Sequence, residues 1–322
     1  MREALFIKKN KDKWTQIQQS PATDADEMAG DFTKLVNDLA YAKTFYPSSK
    51  VTQFINGQAA KIYLSIYKNR KEDSNRIVYF WKYDLPLTVR RYYKVIFFTL
   101  ILFCIFFLVG FFSSRQDPEF TRLILGDGYV DKTIENIEKG NPFGIYQSGN
   151  SFLSWMGIMI NNLSVAIREF MEGILFGIFT MKSVVEFGVM VGVFHELFFS
   201  RGLGLEWGLA VMIHGTLEIW GFVIASAAGI ILGMGWLFPG TAKRLESLKR
   251  AAKDGTKLLV GIIPVLMLAA FFEGLVTRHY KMHWSLNILI LAASAGFIIW
   301  YFIVYPIRLQ KQAAGVTVEV DD

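Results

Sequence analysis

His214 and Glu218 stand four residues apart within a long apolar run, Glu206–Gly233, EWGLAVMIHGTLEIWGFVIASAAGIILG. On a helix that spacing places both side chains on one face, where an imidazole and a carboxylate can pair or supply two ligands to one metal ion. Trp207, Ala210, Gly221 and Ala225 fall on the same narrow arc, while Val211, Ile219, Val223 and Ile230 point elsewhere. The run is long enough to cross a bilayer, and a carboxylate facing lipid would cost roughly 2.5–3.5 kcal/mol on insertion scales. The polar face must therefore look at protein or water. Two ligands do not make a metal site, and a third would have to come from His195, Glu196, Glu172 or Glu206 on other segments. No HExxH, nucleophile elbow or paired-aspartate signature is present. A hydrogen-bonded lock between helices is the first expectation, an ion or proton path the second and catalysis the third. No catalytic residue, metal or cofactor is expected.

A second polar stripe lies upstream. Asn161, Val165, Arg168 and Glu172 follow a 4-3-4 spacing, with Asn162 and Glu169 beside them. Arg168 and Glu172 are one turn apart and can pair. Two polar stripes facing each other is the economical arrangement, either as a register lock or as the walls of a hydrophilic cavity. Glycines at 173/177, 188/192 and 229/233 have the spacing that lets helices approach closely, and Gly215 adds a small residue beside His214. Such faces pack within one chain or between copies, so a homo-oligomer is expected.

The elements that carry these residues form an all-α, polytopic membrane architecture. The 322-residue chain is 52% hydrophobic, and its mean hydropathy of +0.32 sets it outside the ordinary soluble class. Six spans are expected at about 95–112, 152–180, 184–200, 206–233, 258–276 and 286–305, with a polar extracytoplasmic segment at 113–150 and a basic amphipathic helix at 241–256. The charged residues at mid-depth of 152–180 leave open whether that helix is continuous. Residues 1–85 read as a cytosolic helical domain, with apolar faces over 24–46 and 49–67, a shorter helix near Asp12–Gln18, Thr23 or Asp24 as N-cap, and Phe45, Phe54 and Ile66 among the apolar residues. Residues 311–322 are a polar tail. The N-terminal MREALFIKKNKDKW has no apolar core of signal-peptide type. Cys104 is the single cysteine, so no disulfide forms within the chain.

Cations fix the expected orientation. Lys82, Arg90, Arg91, Lys94, Lys182, the 243–257 helix, Arg308 and Lys311 fall on one side of six spans, while Arg115, Arg201, Arg278 and Lys281 fall on the other. The positive-inside rule then places both termini in the cytoplasm, with the protein in the cytoplasmic (inner) membrane. The aromatic and basic stretch Ile77–Tyr93 suits lipid headgroups rather than nucleic acid, and no phosphate loop follows a strand. Membrane lipid is thus one partner. Cytosolic or envelope proteins, engaged through the N-terminal domain, are the other class.

The runs NNLSVAIREFMEGILFGIFT (161–180), FGVMVGVF (187–194), IHGTLEI (213–219), AAGIILG (227–233) and LFPGT (237–241) resemble the stage II sporulation protein M family. The HG-x-x-E element at His214, Gly215 and Glu218 is the most specific match. The resemblance covers roughly 90–305, with the soluble N-terminal domain like that of the longer, non-sporulation branch. Arg168, Glu169 and Glu172 depart from it by being more charged. The resemblance implies a polytopic membrane protein and, by the role of the founding member, a scaffold that gathers peptidoglycan-degrading enzymes. A non-enzymatic scaffold or membrane subunit of an envelope complex is therefore the leading expectation. A transporter or ion-conducting protein is the alternative, and an intramembrane metal-dependent hydrolase the third.

Overall fold

The computed structural model describes residues 2–19, 25–68, 76–144, 150–277 and 282–318, which contain helices and turns and no strand. The chain divides into two units, Met1–Arg76 and Ile77–Asp322. The boundary falls before residue 85 because Leu85 and Val89 are buried in the core of the second unit.

The first unit holds α1 (Glu3–Gln19), α2 (Ala25–Phe45) and α3 (Lys50–Lys68). α1 starts well before Asp12. Phe6 joins Trp14 and Ile17 in burial, and the lysines between them face solvent. The Trp14 indole donates to Asp38 at 2.8 Å, and Lys13 pairs with the same carboxylate at 2.5 Å. Leu35, Ala42 and Ile55 complete a small closed core. Phe45 and Phe54, expected on that core, are instead 57% and 39% exposed. Thr23 and Asp24, the expected caps, and the Ile66 side chain lie outside the described residues.

The second unit opens with α4 (Arg76–Tyr79), a π turn (Phe80–Asp84) and α5 (Leu85–Arg91). α6 (Tyr93–Gln116) follows, and its apolar length spans a bilayer. Asp117 then caps α7 (Pro118–Leu125) by accepting from the Glu119 amide at 3.0 Å, and Gly126 turns the chain into α8 (Asp127–Glu138). Asn150 caps α9 (Ser151–Glu172), which leads to α10 (Ile178–Phe199) and α11 (Gly204–Leu237). α12 (Arg244–Phe271) ends in a π turn (Phe272–Val276), and α13 (Trp284–Ile298) runs through another (Ile299–Val304) into α14 (Tyr305–Val318).

Two expected boundaries change. The helix expected over 152–180 breaks at 173–177, where Phe176 and Gly177 take left-handed φ of 60° and 74°. α10 therefore begins at Ile178 rather than near 184. The amphipathic helix at 241–256 and the span at 258–276 are instead one continuous α12: packing overrides the weak helix propensity of Asp254-Gly255-Thr256, and Gly255 lets the helix pass close to Phe170 and the Ala228 carbonyl. Among the described residues, five helical segments are long and apolar enough to cross a membrane: 93–116, 178–199, 204–237, 244–276 and 284–312. α9 is not among them.

α11 is the axis of this unit. From Gly221 to Gly233 every residue is buried, because glycine, alanine and serine let neighbouring backbones close on it from several sides. A Cβ on Gly173 or Gly233 would strike the backbone of the facing segment, at Gly229 and Gly177 respectively. α9 runs parallel to α11, as Glu169 meets Ser226 and Gly173 meets Gly229. It runs antiparallel to α12, with Trp155 beside Gly274 and Phe170 beside Gly255, a stretch of α12 about 28 Å long. α10 packs parallel to α6 through Gly188 and Gly192, which sit on the backbone around Phe103 and Phe107.

Candidate functional site

α11 presents His214 and Glu218 one turn apart, and the π turn after α12 brings Glu273 to them. One ligand atom from each residue lies within 4.8 Å of the other two. A π turn is rare and re-aims the side chains around it, a feature that recurs at functional sites. Gly274 fixes the turn against α9, since a Cβ there would lie 2.8 Å from the Trp155 Cα. His214 is buried and the two glutamates are half-buried. All three face a cavity of about 350 Å³.

The walls of this cavity come from α10 (Phe187, Met190) and α11 (Val211, Ile219), and the segment between α6 and α9 adds Ile124 and Tyr129. The Tyr129 hydroxyl is pushed up to about 12 by burial, reinforced by the nearby Glu273 carboxylate. It thus stays protonated and neutral at physiological pH. Two ionised carboxylates within 4.8 Å repel by at least about 3.5 kcal/mol at an effective dielectric near 20. No ion pair involves Glu218 or Glu273 among the described residues.

Thr277 holds the imidazole. Its Oγ1 lies 3.0 Å from His214 Nδ1 and 3.5 Å from the Ala210 carbonyl. The hydroxyl thereby fixes the orientation of the ring through Nδ1. The site thus combines one nitrogen and two carboxylate ligands, arranged on rigid helix and backed by a hydrogen bond.

The other sequence candidates lie elsewhere. On α9 the buried stripe is Asn162, Ala166, Glu169 and Gly173, one residue on from the expected Asn161, Val165, Arg168 and Glu172. Asn161 and Arg168 are exposed, and Glu172 accepts from Ser183 at 2.6 Å while lying 3.7 Å from Arg168. Glu169 accepts from Ser226 at 2.6 Å, and its carbonyl accepts from Thr180 at 2.9 Å. These close a buried, hydrogen-bonded seam where α9, α10 and α11 meet, and none of them lines the cavity.

His195 meets Trp207 edge-on, with ring centroids 4.4 Å apart, and Glu196 accepts from Ser114 at 3.3 Å. Glu206 is exposed in the first turn of α11. None of these three, nor Glu172, joins the cluster as third ligand. Gly215 lines the cavity instead of a helix seam, and a Cβ there would meet only its own helix neighbour Met212 at 3.4 Å.

Glu273 and Thr277 were not identified from sequence, although Glu273 is the one acidic residue between Leu258 and Val276. A third polar group, also unforeseen, joins α5 and α6 to α12. Asp254 accepts from Arg91 and from the Tyr92 hydroxyl, each at 2.9 Å, and Lys257 lies 3.4 Å from Asp84.

The stage II sporulation protein M family matches residues 99–278, more than half of the chain. The chain belongs to the stage II sporulation protein M family. His214, Gly215, Glu218, Glu273 and Thr277 all lie within the matched stretch, as do α9, α10 and α11. A domain of unknown function (DUF8413) matches residues 4–68, which covers α1–α3. No curated protein and no solved structure matches the chain.

Proposed function

We propose that this stage II sporulation protein M family member is a cytoplasmic-membrane transport or ion-conducting protein that receives a small cationic species in a one-sided intramembrane pocket. The observation that carries this reading is the convergence of His214, Glu218 and Glu273 on one open cavity. A structural lock would leave such groups paired and sealed. Here two carboxylates face space large enough for a solute.

The orientation belongs to the same proposal. α9 lies alongside about 28 Å of α12, close to the thickness of a hydrocarbon core, so it makes a sixth crossing despite its polar residues. With six crossings, Arg90, Arg91, Lys94, Lys182 and the basic start of α12 share the cytoplasmic side, and both termini lie there. The cavity then opens toward the extracytoplasmic segment that carries α7 and α8.

A scaffold role is the second reading. It is favoured by the separate α1–α3 unit, which has its own closed core and could engage cytosolic or envelope partners, and by the buried Glu169–Ser226 hydrogen bond. Proteoliposomes holding the full chain separate the two. Cation or proton flux that is lost in Glu218→Gln supports transport. A silent bilayer, together with specific partner capture that survives Glu218→Gln, supports the scaffold.

A further inference from the structure

We propose that His214, Glu218 and Glu273 bind a divalent transition-metal ion, of which Zn²⁺ is the simplest case, with the fourth position open to the cavity. This inference rests on the pocket reading above and names its ligand. Four features of the site fit the ion.

The donor set is one imidazole nitrogen and two carboxylate oxygens, a mixture that suits borderline first-row metals. Ligand atoms around a tetrahedral zinc lie about 3.3 Å apart, since each is roughly 2.0–2.1 Å from the metal. The three atoms, already within 4.8 Å of one another, stand within about 1.5 Å of that spacing. Charge balance is the second fit. Two carboxylates neutralise the 2+ ion, so the filled site carries no net charge into the membrane unit. The third is the support behind the ligands, where Thr277 orients His214 and the backbone contact of Gly274 with Trp155 holds the Glu273 turn. The fourth is access, because the cavity gives the ion an entry route and room for a water ligand.

The test uses full-length protein in detergent, with any affinity tag removed, loaded with Zn²⁺ and desalted. Metal analysis is expected to find one zinc per protomer, with Glu218→Gln and Glu273→Gln each weakening binding at least about 100-fold and Thr277→Val about 10–100-fold. Glu206→Gln, whose side chain is exposed and remote, leaves binding unchanged. Because a pocket variant can fail to fold, X-ray absorption on the wild-type protein is the second measurement. It is expected to show a first shell of about four nitrogen and oxygen atoms at roughly 2.0–2.1 Å. No stoichiometric zinc, or zinc retained in both glutamine variants, overturns the proposal. Flux that persists in wild-type protein without metal binding sinks the ion and spares the transport reading. Zinc bound without flux does the reverse.

Discussion

Thr277 Oγ1 lies 3.0 Å from Nδ1 of His214, a contact between the end of one membrane helix and the upper part of another, 63 residues apart in sequence. It fixes the ring that faces Glu218 and Glu273, and it makes the pocket a built arrangement rather than a chance meeting of polar side chains.

Removing that hydroxyl breaks a buried hydrogen bond to the imidazole, which costs about 1–3 kcal/mol. Thr277→Val is therefore expected to lower the thermal unfolding temperature in detergent, and Thr277→Ser to restore most of it. Equal melting of all three proteins would remove the contact from the account.

The seam between α9 and α11 depends on backbone contact at Gly173 and Gly229. Overpacking a tight interior costs about 1–3 kcal/mol even where side chains can move, and here the obstacle is a carbonyl. Gly173→Leu should lose the monodisperse peak in gel filtration. Gly215→Ala should keep it, because its new Cβ meets only Met212.

Much of this molecule is legible in its sequence. Five of the six spans expected from the apolar runs recur as helices long and apolar enough to cross a membrane, and the spacing of His214 and Glu218 marks the face of α11 that carries the cluster. The third member of the cluster is harder to see. Glu273 is a single acid near a helix end, and only the π turn points it back toward α11. The α9 stripe shows a different limit, since Asn161–Asn162 and Arg168–Glu169 are polar at adjacent positions. Period alone cannot choose between two adjacent registers. The small residues Ala166 and Gly173 share the face of Asn162 and Glu169, and close packing against α11 decides for that face.

The register is open to direct test. Spin labels at Asn161→Cys and Asn162→Cys, in a protein lacking Cys104, should differ sharply in mobility. The label at 161 is expected to be mobile and the one at 162 immobilised or disruptive. Two equally mobile labels would contradict the buried face.

Burial, then the hydrogen bond to Asp254, push the Tyr92 hydroxyl up to about 12. The folded state keeps a proton that the unfolded chain releases near pH 10. This contribution to stability is fully present below about pH 10 and is lost as pH rises toward 12. Melting temperatures between pH 9 and pH 11.5 should fall less steeply in Tyr92→Phe than in wild type. Parallel curves would place the alkaline loss elsewhere.

The most direct test of the central claim is the side from which the pocket can be reached. Glu218→Cys, placed in a chain without Cys104 and held in sealed vesicles of known orientation, would be treated with a membrane-impermeant thiol reagent. The account predicts labelling from the extracytoplasmic side only. Labelling from the cytoplasmic side, or none from either side in folded protein, would contradict it.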